Sequence, residues 1–472
     1  MDKQHEKKNE RSVMLGTLPM RTLVPKVSLP IMISMIVQAL YNVVDSIYVS
    51  RFDPDALTAV SLAYPFQMLM ISLSVGMGTG IASLMSRKLG EGARGEARQA
   101  SWNGMLIEGC GSLFFVLMGL LLAPALMRLV VTDRLQNAAA IYDMGVTYLR
   151  TVTTFSLGLF LSVLMERMLQ STGNTIFSMV TQLSGALTNI ILDPILIFGL
   201  LGAPRLGVLG AAVATVIGQW VSAAVGFTFN QLRNVELRLS PRDARISAPL
   251  LRAIFAVGVP STIMSAFGSV MNIGMNRILS TFPETVGNAV VNVLNVYFKL
   301  QSFIFMPVFG LGSGMIAIVG YNYGARNRER VYSAIRVALT WAASIMIAGT
   351  LLFQLFPRQL MTIFESESGG EVSAHMVVLG ESALRTISLN FILAAVGITL
   401  SNVFQAVGRG VYSMVVSILR QLAVLLPAAW LLKELFGTVD AVWWCFVLAE
   451  AVSLVICLLL YRKLRRDVLE KL

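Results

Sequence analysis

Twelve long apolar runs follow one another along the chain, near residues 24–50, 59–84, 101–124, 142–165, 176–200, 207–231, 251–281, 287–317, 332–356, 378–404, 411–433 and 438–461. About 20 mostly apolar residues cover the hydrocarbon core of a bilayer as a helix. Inside that core a backbone must satisfy its own polar groups, so each run is expected to be a helix. The composition agrees, with 13% charged and 56% hydrophobic residues where a soluble chain carries about a quarter charged. The sequence therefore predicts an all-α polytopic membrane protein. Cys110, Cys445 and Cys457 lie in apolar segments, so no disulfide framework is implied.

The net charge of +11 is distributed by side rather than gathered into a patch for nucleic acid, and no nucleic-acid partner is expected. Only six of the 37 Lys and Arg (Arg51, Arg128, Arg134, Arg205, Arg358 and Lys433) fall in or beside the loops opposite the termini. Basic residues mark the cytoplasmic side, which puts both termini in the cytoplasm. Met1 to Arg21 is hydrophilic and basic, with no short apolar core of a cleavable signal. The expected division is a tail at 1–23, an N-terminal lobe at 24–231, a cytoplasmic linker at 232–250, a C-terminal lobe at 251–461 and a tail at 462–472.

The two lobes repeat. Gly76, Gly78, Gly80 and Gly90 recur as Gly310, Gly312, Gly314 and Gly324, and QSTGNTIFSMV (170–180) recurs as QAVGRGVYSMV (405–415). Pro30 and Asn42 match Pro260 and Asn272. Three blocks at nearly one offset mean duplication. Six spans per lobe is an even number, so the lobes enter the membrane from the same side. They are expected to be related by an axis along the membrane normal, with a substrate path between them.

Against that frame two acids stand out. Gln38, Asn42 and Asp45 recur at helical spacing in the first span, with Tyr41 beside them and Pro30 upstream. The fifth span carries Asn189 and Asp193 four apart, followed by Pro194, which bends a helix and frees a carbonyl. A carboxylate within a spanning helix reads as functional by default. Two acids, an amide and a bent helix suit a proton or a small hard cation such as sodium, held by Asp45, Asn189 and Asp193. The repeat positions of Asp45, Asn189 and Asp193 are Met275, Val424 and Ala428, so the site is confined to the N-terminal lobe.

In the other lobe Asn272, Asn276, Asn292, Asn295 and Lys299 recur at helical spacing. This stripe lines the substrate path or glues helices together. For Glu108, Arg420 and Glu450, single charges in spans, snorkelling or local pairing is expected. The 25 Met and 24 Phe suit a surface that accepts varied apolar ligands, although most serve as core or lipid-facing residues. The chain contains no GxxxxGK[ST], HExxH or GxSxG, which leaves P-loop ATP hydrolysis and intramembrane hydrolysis unsupported.

Taken in order, these features resemble the MATE (multidrug and toxic compound extrusion) family over essentially the whole chain. They are the proline and aspartate of the first span, the glycine-rich second span with its RKLGEG loop, N-x-x-x-D-P in the fifth, and Q-x-x-G in each half. The resemblance implies two pseudo-symmetric six-helix bundles in a V around a central cavity. It also implies a secondary antiporter, not an enzyme, that expels amphipathic, often cationic small molecules in exchange for protons or sodium ions, with no other cofactor. It adds Thr215 in the sixth span to Asp45, Asn189 and Asp193 as the cation site. Another branch carries acids in the seventh and tenth spans. Here those spans show only Arg277 and the peripheral Glu381 with Arg385, so the chain looks like the DinF/MepA-like bacterial branch. A monomer in the bacterial plasma membrane, surrounded by lipid, is the matching expectation. The alternative is a flippase for a lipid-linked or other amphipathic metabolite, which would want several cavity arginines rather than acids.

Overall fold

The structure is a computed structural model and describes residues 12–132, 137–363 and 371–472; residues 1–11 of the tail and Arg134 lie outside them. Helices dominate, and no strand occurs among the described residues. A short turn, α1 (Val13–Thr17), precedes the first span, α2 (Met20–Phe52). The N-terminal half continues with α3 (Pro54–Gly90), α4 (Arg94–Val130), α5 (Ala138–Thr154), α6 (Leu157–Ser171), α7 (Thr175–Phe198) and α8 (Val208–Arg233). The C-terminal half holds α9 (Ala248–Leu279), α10 (Glu284–Gly324), α11 (Arg328–Leu355), α12 (Pro357–Thr362), α13 (Glu371–Ser388) and α14 (Phe391–Ala406). It closes with α15 (Gly410–Ile418), a π turn at Leu419–Ala423, α16 (Leu425–Phe436) and α17 (Val439–Asp467).

Ten helices are long and apolar enough to cross a membrane, and two bent pairs bring the number to twelve. The fourth and tenth spans, expected as single helices, are these pairs: α5 and α6 meet at 47°, and α13 and α14 at 50°. Proline is not the cause, since none lies at either break. At the first break Thr151 and Thr153 bond back to the carbonyls of Thr147 and Leu149 (2.8 and 2.6 Å). Such bonds compete with the helix ladder and bend it. At the second, the carbonyls of Arg385 and Ser388 accept bonds from Gln354 Nε2 (2.7 Å) and Thr350 Oγ1 (3.1 Å) of α11. Freed backbone groups at membrane depth persist only when protein satisfies them in this way.

The duplication is visible in the backbone. The bends fall at Phe155 and Leu389, matched positions of the repeat. Left-handed residues recur at Gly173 and Gly408 (φ 77° and 85°), and at Gly92 and Arg326 (φ 76° and 54°). Between the halves, α2 packs on α10 while α9 packs on α3, each contact being the repeat image of the other.

These contacts close the end of the bundle that carries the chain termini, here the terminal face. A Cβ on Gly90 would strike the carbonyl of Tyr321, and one on Gly324 the carbonyl of Arg87. Only glycine lets these backbones come so close. Along α2 and α10 the pairs Met32–Gly310 and Ser28–Gly314 touch, whereas Asn42, Asn292 and Asn295, nearer the far face, are exposed. The halves thus close at one face and part toward the other, as a V.

The tail and the linker are both fastened to the helices. The expected tail at 1–23 enters the fold: Leu15 is fully buried and the first span starts at Met20. Asn322 Nδ2 and Arg330 Nη2 donate to the Leu15 carbonyl (2.9 and 3.0 Å), and Arg330 also donates to the Leu18 carbonyl (2.8 Å). On the other side Ser12 N donates to Glu236 Oε2 at 3.2 Å. The linker at 232–250 lies along α4, where Arg98 Nε reaches the Glu236 carbonyl (3.1 Å) and Trp102 Nε1 the Ser240 carbonyl (2.9 Å).

Candidate ion-coupling site

Helix α7 carries Asn189 and Asp193 on one face, and both are buried. Pro194 follows inside the helix and offers no N–H to the carbonyl of Ile190. Gly185 of α7 and Gly218 of α8 meet with ideal Cβ positions 2.8 and 2.7 Å from each other's carbonyl oxygens. That close approach brings Thr215 against Asn189. The amide orientation that satisfies both ends has Asn189 Nδ2 donating to Asp193 Oδ2 (2.7 Å). Its oxygen accepts from Thr215 Oγ1 (3.2 Å) and from the Thr215 backbone N (3.0 Å).

From α2, Asp45 reaches the same point, its carboxyl group beside that of Asp193. A hydrogen bond between two such groups would require a proton on one of them. Oδ1 of Asp45 and Oδ1 of Asp193 are each buried without a partner. Tyr41, one turn before Asp45, lies beside Thr215 and Asp45. Tyr148 lies close enough to feel both acids, and its hydroxyl donates to Gln67 Oε1 at 3.2 Å. The four residues Asp45, Asn189, Asp193 and Thr215 therefore form one cluster. Tyr148 and Gln67 complete its wall; as ordinary apolar-span residues they carried no sequence signal.

The remaining polar positions are more dispersed. Gln38 Nε2 lies 3.4 Å from Asn42 Oδ1, and Asn276 Nδ2 donates to Asn272 Oδ1 at 3.2 Å, so part of each stripe bonds within its own helix. Asn292, Asn295 and Lys299 are exposed along one side of α10. Of the two expectations for Glu108, snorkelling or local pairing, the second holds: it is 1% exposed, takes a bond from Ser74 Oγ (2.9 Å), and lies near Arg167. Arg167 is itself buried, bonds Gln170 (2.9 Å), and reaches Ser313 of the other half at 3.5 Å. Glu166 and Arg167 were overlooked in the sequence, although two adjacent charges in an apolar span were the available signal. Arg420 and Glu450 pair locally at 3.9 Å.

What the cluster could hold follows from its donors. No group of three or more His, Cys, Asp or Glu that could hold a metal occurs among the described residues. The Asn189 oxygen faces Thr215 and its nitrogen faces Asp193. The unpartnered Oδ1 atoms of Asp45 and Asp193 offer oxygen to a shared proton or to a small hard cation alike.

Comparison with known proteins gives a consistent result. The chain is 25% identical over 445 residues to the multidrug export protein MepA of Staphylococcus haemolyticus (strain JCSC1435), covering 93% of this chain and 92% of that one. A solved MATE in the straight conformation superposes with a TM-score of 0.89 at 25% identity, over 98% of this chain and 99% of the other. The outward-facing conformation of a multidrug resistance MATE family transporter of the MOP superfamily follows at 0.88, with the same identity and coverage. The MatE family model matches twice, at residues 30–195 and 260–431, once in each half. With both halves matched in register and the fold shared end to end, the chain belongs to the MATE family of multi-pass membrane transporters.

Proposed function

We propose that this protein is a secondary antiporter that exports amphipathic, cationic compounds across a bacterial plasma membrane in exchange for protons. The observation that carries the reading is the adjacent, buried pair of Asp45 and Asp193, joined to Asn189 and Thr215 in a single lobe. Neighbouring carboxyl groups titrate as a unit, so proton uptake and release belong to the pair. With a proton held between them, α2 and α7 are tied together. When the proton leaves, the two like charges repel and the tie is lost, so α2, which also packs on α10 of the other lobe, takes a second arrangement. A proton that favours one arrangement and a substrate that favours the other are coupled without touching.

In this reading Gln38, Tyr41, Asn42, Asn272, Asn276, Asn292, Asn295 and Lys299 line the substrate path, and the lobes are residues 24–231 and 251–461. Both termini lie in the cytoplasm, as the loop charges require. The matched MepA proteins are named as multidrug export proteins, which supports the substrate class. The test is export of the fluorescent cation ethidium from cells, with the pH and sodium gradients collapsed separately. Loss of export with the pH gradient alone is expected. Undiminished export with both gradients collapsed overturns the reading.

A further inference from the structure

A second cavity, of about 260 Å³, opens in the C-terminal half among α9, α10, the π turn, α16 and α17. Pockets for whole drug-sized ligands run to about 300–1,000 Å³, so this one suits a small ring system. Its wall is aromatic, with Tyr297, Phe298, Phe305 and Phe446, and the Tyr297 and Phe446 rings lie 5.9 Å apart. Two charges face it: Arg420, on the π turn, and Glu450 of α17. A π turn inserts a residue into the helix ladder and often marks a functional position.

The charges are loosely matched. Their closest N–O separation is 3.9 Å, beyond hydrogen-bonding reach, and Arg420 makes no hydrogen bond to another side chain among the described residues. Tyr297 is 1% exposed, and its hydroxyl has no partner. The cavity thus presents a guanidinium fork, a carboxylate and a buried hydroxyl, none saturated by the protein. The repeat position of Arg420 is Gly185, and those of Asn189 and Asp193 are Val424 and Ala428. One lobe therefore holds an acid pair where the other holds a plus–minus pair.

We propose that this cavity binds aromatic zwitterions, the ligand carboxylate going to Arg420 and its ammonium to Glu450, with the ring among Tyr297, Phe298 and Phe446. A guanidinium takes a carboxylate in bidentate fashion, which the open fork of Arg420 allows. Net charge sets the selectivity. A pure anion or cation would leave one uncompensated charge in a desolvated site, whereas a zwitterion leaves none. The inference rests on the export reading for its physiological meaning, but its binding test is separate.

That test uses purified full-length protein and three fluorescent probes with one ring system: dansyl-lysine (zwitterion), its methyl ester (cation) and 6-(dansylamino)hexanoic acid (anion). Dansyl-lysine is expected to bind about tenfold more tightly than either of the others, the cost of one unpaired charge in a partly wet site. Arg420→Gln should shift the preference to the ester, and Glu450→Gln to the hexanoic acid. A merely structural pair would change all three affinities alike. Equal affinities in the wild type, or parallel loss in both variants, overturn the proposal; the wild-type ranking decides it even if a variant fails to fold. If the ranking fails while ethidium export persists, only this inference falls. If export fails while the ranking and its two inversions hold, the cavity stands and the export reading falls.

Discussion

Replacing Arg330 with alanine should release the N-terminal turn from the terminal face. In the fold, α1 bridges the halves: Arg330 and Asn322 of the C-terminal half hold its carbonyls, and Glu236 at the end of the N-terminal half holds Ser12. Arg330→Ala removes two charge-assisted bonds, to the Leu15 and Leu18 carbonyls at 3.0 and 2.8 Å. Bonds to charged groups contribute about 1.5–3 kcal/mol each when dry. Arg330 is half-buried and water replaces part of the loss, so about 2–3 kcal/mol is expected for both. At 1.4 kcal/mol per factor of ten, the undocked fraction of the turn rises roughly 30- to 140-fold. Hydrogen–deuterium exchange of the amides in residues 13–23 reads that fraction directly. Arg336→Ala, six residues further along α11 and exposed, is the control and should leave the rates unchanged. Exchange in the Arg330 variant at the wild-type rate would refute the idea that this turn clasps the two halves.

Three further outcomes follow from the same contacts. Gly90→Val and Gly324→Val should each wedge the terminal face open, seen as longer spin-label distances across it, while Gly95→Val, which meets open space, should not. Arg326 holds the left-handed conformation that its repeat mate Gly92 takes freely, so Arg326→Gly should add about 0.5–1 kcal/mol and raise the midpoint of thermal inactivation. Cysteines at Asn272, Asn276, Asn292 and Asn295 should react with a membrane-impermeant maleimide if they line the path; protection at most of them would make the stripe helix glue.

The spans, the duplication and the acid pair were legible in the sequence because each rests on a local or repeated signal. Hydropathy must be continuous for a helix to sit in lipid, and carboxylates in such a run are conspicuous. Thr215 entered only through the family resemblance, since a lone hydroxyl in AAVATVIG marks nothing by itself. What stayed hidden depends on partners far apart in the chain. Nothing in Met1–Arg21 announces that its Leu15 carbonyl meets Asn322 and Arg330. The bend at Phe155 has no proline, and the bend at Leu389 depends on Gln354 and Thr350 from another helix. The direction of the Asn189 amide, which joins Asp193 to Thr215, is likewise recorded in no sequence.

The central claim, that Asp45 and Asp193 couple the ion gradient to export, is tested most directly in proteoliposomes with an imposed pH gradient. Asparagine matches aspartate in volume and cannot exchange the proton, so Asp45→Asn and Asp193→Asn should insert normally and still bind ethidium. Gradient-driven transport should fall to the leak rate in both, while Met275→Leu and Ala428→Ser, at the repeat positions, should transport nearly as the wild type does. Wild-type transport by both asparagine variants would contradict the account and place the coupling site elsewhere.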